Sequence, residues 1–549
     1  MLAVITKPLE DQVARLSAAN MDAEKLLQVD PYWILVINLL KHNSLLLLGT
    51  LVVIFLASTA SSAQRKYRKL LPPGPPGWPI IGNLLQLGPL PHRTLAGLCR
   101  QYGPLVYLRI GSVHTVTTDC PQMIKELLFN QDEVFASRPR STAGKLMAYD
   151  DMDVGLAPYG AHWKLMRRVC MEHLLTTRRI ASFQQNRQEE AQALVHSVWE
   201  ECKQGGKVVN VREHLGSFTM NIVTIMLLGK RYFGSESMGA KEAKEFRELI
   251  HAAMALHGTF FVGDYLPFLK WFDFQGYQSL FKRMGKQMDD YYSSILEDHR
   301  DRLKQFGIGP DDDGPQDFVD VMLKISAEEG KLNDIEMKAL MQDMVVGGTD
   351  TASFTMEWCM AELIRNPKTL QKAQEELDQL LEDGHTLQES DLPQLRYLKA
   401  AVKETFRFHP VGGFLIPHES IRETKIAGYI IPKNSLVLIN THGLGRNPDV
   451  WENPLQFMPE RFMGDKVELR DAEFRVVPFG SGRRKCPGAP LGQSMLLLGL
   501  GRLIHAFNWA PPPPLLPTDI NVMEANGMTT PPATPLKALA TPRLPYHRY

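Results

Sequence analysis

FGSGRRKCPG, residues 479–488, sets one cysteine among two arginines, a lysine and three glycines near the end of a 549-residue chain. The stretch that follows, APLGQSMLLLGLGRLIHAF at 489–507, reads as a buried, strongly apolar helix. Cys486 therefore sits just before a helix N-terminus, where unpaired amides and the macrodipole favour a thiolate. Pro487 has no N–H to offer, but Gly488 and Ala489 do. Gly482 and Gly488 permit unusual dihedrals and close backbone approach to a flat ligand, and Arg484 places a fixed cation two residues away. A cysteine judged alone is most often a small buried hydrophobe. In this setting a thiolate of lowered pKa is expected, suited to a nucleophile or a metal ligand, and the flat cavity favours a haem iron.

The rest of the chain bounds the reading. It is 44% hydrophobic and 22% charged, enough for a large globular core. Sixty-one basic residues balance sixty-one acidic ones, so nothing points to nucleic acid. The six cysteines, at 99, 120, 170, 202, 359 and 486, form no C-x-x-C pair, which argues for a reducing compartment. SLLLLGTLVVIFLASTASSA, residues 44–63, carries no charge and is long enough to span a bilayer. Arg65, Lys66, Arg68 and Lys69 follow it, which places the C-terminal mass in the cytosol. It starts too far from Met1 for a cleaved signal, and the acidic first thirty residues do not suit a transit peptide. The expected organisation is an extension at 1–43, an anchor at 44–63, a basic and Pro-rich linker at 64–79 (ending in PPGPPGWP) and one domain at 80–549.

That domain reads as mainly α with small β-sheets. Lys368 to Glu382 is a charged amphipathic run, and VYLRI (106–110) and SLVLIN (435–440) are strand-like. A helix is expected from Asn333 or Asp334, with a capping box to Glu336, as far as Arg365, stopped by Asn366-Pro367. Inside it lies VVGGTDTAS, residues 345–353, where each glycine costs about 1 kcal/mol relative to alanine. Either another body approaches the backbone there, next to the hydroxyls and carboxylate of Thr349, Asp350 and Thr351, or the glycines form a helix-packing notch.

Together these motifs resemble the cytochrome P-450 superfamily. F-x-x-G-x-R-x-C-x-G, filled by Phe479, Gly482, Arg484, Cys486 and Gly488, looks like its haem-binding loop. Glu404 and Arg407 in KETFR, with Arg461 in PERF, resemble the family's structural triad; a surface ion pair is the alternative. Trp163 and Arg167 in WKLMR resemble haem-propionate contacts, and His418 in FLIPHES aligns with another. VVGGTDTAS is similar to the oxygen-activating groove, with Gly348 at the cofactor and Asp350 and Thr351 at the acid and alcohol positions. The resemblance implies a P-450 fold behind a transmembrane helix. It also implies haem b held by Cys486, O2 as co-substrate, and electrons from NADPH through a separate diflavin reductase, since the chain has no dinucleotide fingerprint. Arg483, Arg484 and Lys485, with Lys164, Arg167 and Arg168, form a candidate basic face for that reductase or a solvated charge run. An endoplasmic reticulum location, single-pass with a cytosolic catalytic domain, follows from the same resemblance.

Longer stretches, among them FASRPRSTAGKLMAYDDMDVGLAPYG, INTHGLGRN and GMTTPPATPLKALATPRL, resemble the land-plant in-chain fatty acid hydroxylases. That family implies oxygen insertion into a medium-chain saturated acid, typically lauric acid, for sporopollenin of spore and pollen walls. Met344, Val345, Val411, Phe414, Leu415 and Met528 are the candidate alkyl lining, with Lys145 or Arg140 as a carboxylate anchor. Hydroxylation of phenolic esters or other aromatics, and a reductase-independent peroxide isomerase or dehydratase, are the alternatives. Ala352, where many relatives carry a second hydroxyl, and Gly347-Gly348 in place of an alanine-containing pair depart from the pattern.

Overall fold

The computed structural model describes residues 67–203, 207–234, 240–273, 275–306, 316–382, 384–464 and 473–549. The expected extension at 1–43 and the anchor at 44–63 lie outside the described residues. Among the described residues no helix is long and apolar enough to cross a membrane. The chain divides into two units, 1–71 and 72–549.

In the second unit the Pro-rich stretch is packed rather than free. The carbonyl of Pro73 accepts the Tyr107 amide at 2.9 Å, so PPGPPGWP runs along the strand β1 (Val106–Ile110). Proline suits such an edge because it has no amide to leave unpaired.

The longer helices are α1 (Pro91–Tyr102), α2 (Ala161–Val169), α3 (Gln184–Cys202), α4 (Val211–Leu228), α5 (Ala240–His257), α6 (Tyr277–Phe306), α7 (Phe318–Glu329), α8 (Asp334–Gly348), α9 (Asp350–Arg365), α10 (Pro367–Leu380), α11 (Arg396–Phe408) and α12 (Ala489–Ala506). The small sheets use β1 with β2 (Val113–Thr118), β3 (Val208–Asn210), β4 (His418–Glu419), β5 (Thr424–Ile426), β6 (Tyr429–Ile431), β7 (Leu436–Ile439), β8 (Phe507–Ala510) and β9 (Lys537–Pro542). The first sheet has the order β1-β2-β7-β4, with β2 and β7 parallel and Val116 opposite Val437. The others are β3-β9-β8 and the hairpin β5-β6.

Helices α9 and α12 form the centre, each packed on α4 and on the other. Fourteen of the sixteen residues of α9 are buried, which a helix tolerates only when neighbours cover every face. Its charges are answered in place: Glu357 accepts from Arg212 and the Leu536 amide, both at 2.8 Å. The expected capping box is present, Asn333 accepting from the Glu336 amide and Glu336 from the Asn333 amide. The single helix expected from there to Arg365 is two helices. Thr349, at φ −96° and ψ −74°, separates α8 from α9.

Candidate functional site

The cysteine loop is folded by its glycines and by hydrogen bonds to its backbone. The Cys486 amide donates to the Phe479 carbonyl at 2.9 Å, closing the loop, and the Phe479 ring meets Phe406 of α11 edge-on at 5.4 Å. Gly482 has φ +63°, and a Cβ there would lie 2.2 Å from the Leu128 carbonyl oxygen, so glycine is required twice over. Gly488 differs from the expectation: its φ of −83° is ordinary, and a Cβ added there would stand 4.0 Å from the Cys486 sulfur.

The sulfur itself corrects the expected thiolate. Burial pushes the Cys486 thiol up, against the opposing pull of the Gly488 and Ala489 amides, Arg167 and Lys485. Desolvation wins because the charged form must be held away from water. A bound metal cation reverses that balance, since a coordinating thiol is deprotonated outright.

Above the loop the structure collects donors. Arg484 donates to the carbonyls of Ala136 at 2.6 Å, Val154 at 3.2 Å and Ala157 at 2.5 Å, and its guanidinium lies 4.3 Å from the Trp163 ring centre. Trp163 donates to the same Val154 carbonyl at 3.2 Å. His418 donates through Nδ1 to Phe135 at 2.7 Å. Arg138 joins this group, donating to Gly155, Ile416 and Pro417. Burial brings Arg138 down to about 9 and Arg484 to about 10, and both cations help hold the His418 imidazole well below its ordinary range. Among the described residues none of Arg138, Arg167 and Arg484 forms a carboxylate ion pair; the buried Asp153, itself pushed up to about 6, acts on Arg138 and Arg484 from longer range. Guanidinium groups without carboxylate partners, near a half-buried thiol, fit an anionic ligand with a soft-ligand metal: the donor chemistry suits haem.

The second candidate region is the break between α8 and α9. Thr349 Oγ1 donates to the Val345 carbonyl and Thr351 Oγ1 to the Gly347 carbonyl, both at 2.8 Å, so each hydroxyl folds back on the turn before it. Gly347 faces open space, with nothing within 4 Å of where a Cβ would stand, whereas a Cβ on Gly348 would meet Val223 of α4 at 2.8 Å. Gly347 is thus exposed and open, while Gly348 sits in a packing notch against α4.

Of the expected alkyl lining, Val345 is fully buried in the main core and turned from the groove. Met344, Val411, Phe414, Leu415 and Met528 are half-buried. Leu415 lies 3.9 Å from where a Cβ of Gly480 would stand, against the cysteine loop, and the Met528 segment abuts Gly258 just beyond α5. Arg140 and Lys145 are both at the surface, Arg140 3.7 Å from Asp150, so neither is drawn into the groove.

The triad residues meet. Glu404 accepts from Arg407 at 2.6 and 2.7 Å, from Arg461 at 3.1 Å and from the Met458 amide at 2.7 Å, with Glu404 and Arg407 fully buried. This is no surface pair. On the basic face, Arg483 is taken up by Asp132 at 2.5 Å, while Lys164 and Arg168 are exposed.

Sequence reasoning missed Arg138 and His251. Arg138 stands in the quoted run FASRPRS, where a basic residue between serine and proline gave the only signal. His251 stands in α5 with no motif around it, and its Nδ1 lies 3.2 Å from Asp350 Oδ2.

Comparison with known proteins follows the same outline. The cytochrome P450 family model matches residues 72–537. Cytochrome P450 703A2 of Arabidopsis thaliana is 48% identical over 92% of this chain and 98% of its own length. Cytochrome P450 703A2 of Oryza sativa subsp. japonica is 51% identical over 88% and 94%. A flavonoid 3'-monooxygenase of Petunia hybrida is 39% identical over 92% and 99%.

Proposed function

The chain belongs to the cytochrome P450 family, an oxygenase family that uses haem iron and O2 with electrons from a redox partner, and from that premise we propose an in-chain fatty acid hydroxylase. Its substrate would be a medium-chain saturated acid, lauric acid first, destined for sporopollenin. The observation that carries the chemistry is the half-buried Cys486 thiol in the field of Arg167, with Arg138, Arg167 and Arg484 forming no carboxylate ion pair among the described residues. The closer identity to the two 703A2 relatives than to the flavonoid enzyme supports the substrate class.

In this reading Cys486 holds the iron, and Arg138, Arg167, Arg484, His418 and Trp163 hold the propionates. Phe479 braces the loop and Gly347 leaves room above the haem plane. Bound haem supplies the activation of O2 and the insertion of one oxygen atom into a C–H bond. The chain's own residues do the rest. Asp350 and Thr351 hold and move protons at the groove, and Met344, Val411, Phe414, Leu415 and Met528 exclude water and align the alkyl chain.

Electrons would come from NADPH through a diflavin reductase docking at Lys164 and Arg168. The single-pass reticulum membrane reading, catalytic domain in the cytosol, is supported by exposed Trp78, Ile80, Leu85, Phe268, Trp271 and Phe272. The two segments that carry them meet the same hairpin: Asn83 donates to the Arg109 carbonyl and Ser112 to that of Tyr265.

A second reading, hydroxylation of an aromatic, is favoured by the flavonoid relative. Membranes holding the full chain, incubated with reductase, NADPH and either lauric acid or a flavonoid, separate the two. An aromatic product with the saturated acid untouched overturns the first. The reduced carbon monoxide spectrum tests the ligand: Cys486→Ala is expected to lose the red-shifted thiolate band and all turnover, and a band that persists refutes the assignment.

A further inference from the structure

Helix α5 presents two faces. Phe246, Ile250, Ala253 and Met254 are buried, while Lys244, Glu248, His251 and Ala255 make an exposed stripe at helical spacing. The stripe faces bulk water, because Lys244 and Glu248 are 77% and 67% exposed and pair only at 3.9 Å. His251 belongs to it and is 44% exposed, yet its Nδ1 reaches a carboxylate that is only 6% exposed, Asp350, at 3.2 Å. Asp350 is the first residue of α9, beside Thr351 at the helix break. Among the described residues His251 is its one side-chain hydrogen-bond partner, and the outward nitrogen, Nε2, has none.

We propose that His251 is a positioning residue that passes protons from solvent to Asp350. The proposal rests on the reading that Asp350 and Thr351 serve proton delivery in the groove. A buried carboxylate that gives up a proton needs a route to recover one, and here the only titratable side chain touching it spans from the buried to the wet face. A water proton enters at Nε2 as the Nδ1 proton passes to Asp350 Oδ2; the ring then turns Nδ1 out to solvent, gains a proton there, loses the Nε2 proton to water and turns back, which restores the starting tautomer. No other reactant is needed, and the exposure of His251 leaves room for the turn. On its own helix His251 has Arg247 one turn before it, and that guanidinium is engaged with the Phe233 ring at 4.1 Å and with Ser217. Neither contact competes for Asp350.

The plain alternative is a pin between α5 and α9, a partly exposed pair that adds little to stability. Glutamine separates the two, since it keeps a hydrogen bond to Asp350 but carries no mobile proton. For His251→Gln in the full-length enzyme with reductase, we expect turnover to fall about tenfold, electrons to be diverted to peroxide, and the D2O effect on turnover to rise about twofold. Wild-type coupling and isotope effect in that variant overturn the proposal. A second measurement needs no turnover. In the resting protein labelled with nitrogen-15 histidine, the His251 Nδ1 resonance should move on Asp350→Asn and stay on Glu248→Gln; no movement on Asp350→Asn overturns the contact. The reduced carbon monoxide spectrum keeps the two levels apart. A thiolate band retained in His251→Gln makes its defect one of proton supply, whereas wild type without that band sinks the haem-thiolate reading and the relay with it.

Discussion

The cysteine loop and the break between α8 and α9 both contain glycines, and the two regions are held in different ways. In the loop the backbone is over-determined: Gly482 must have positive φ, Arg484 donates to three carbonyls, and Phe479 leans on α11. In the groove little is tied. Gly347 faces open space, the Thr351 hydroxyl bonds only back across the break to the Gly347 carbonyl, and Asp350 reaches one histidine. The loop is fixed by its contacts, and the break is left open. Substitutions should therefore damage stability near the loop and chemistry near the groove.

The largest expected effect lies behind the loop. Glu404→Ala removes the carboxylate acceptor for two guanidinium groups, Arg407 fully buried and Arg461 largely so, and leaves Arg407 with only the carbonyls of Gly445, Pro454 and Gln456. A buried pair broken on one side costs about 3–5 kcal/mol. Thermal unfolding of the variant should show that loss together with failure to retain haem, because α11 carries Phe406 against Phe479. Full stability in the variant would mean that the loop does not depend on this scaffold.

Gly482→Ala comes next. It combines a left-handed backbone with a methyl 2.2 Å from the Leu128 carbonyl, which should cost about 2–3 kcal/mol. Measured by the same unfolding, the loss should exceed that of any single alanine placed in the groove. An equal loss at Gly348 would erase the contrast between the two sides.

How much of this could be read from residues alone follows the same division. Where a feature is fixed by its neighbours in sequence, as with Gly482 and the capping box of Asn333 and Glu336, the sequence suffices. Periodicity also found β1, and it placed α10 and α12 to within two residues. What it could not show is direction. A helical stripe gives a face but not its partner, so Val345 was expected in the alkyl lining and lies in the core, and the approach of Gly348 to Val223 of α4 could not be foreseen. The break at Thr349 was hidden because the hydrogen bonds of Thr349 and Thr351 to the preceding turn are decided by tertiary packing. The thiol was misjudged because helix-terminus amides are visible in sequence and depth of burial is not. Arg138 and His251 act on partners 278 and 99 residues away, beyond any local pattern.

The smallest effect on stability is the sharpest test of the comparison. Gly347→Ala adds a methyl where nothing stands within 4 Å, and it replaces a helical glycine, so the variant should gain about 0.5–1 kcal/mol. Gly348→Ala adds the same methyl 2.8 Å from a valine side chain, so the propensity gain is offset by crowding and the net should be a loss of about 1 kcal/mol. Turnover should run the other way. The methyl at 347 enters the groove beside the Thr351 hydroxyl, whose acceptor is the Gly347 carbonyl, while the methyl at 348 points toward α4. The more stable variant should therefore be the slower enzyme. If Gly347→Ala were both more stable and fully active, the open space above it would have no part in the chemistry, and the glycine would be there for neither packing nor catalysis.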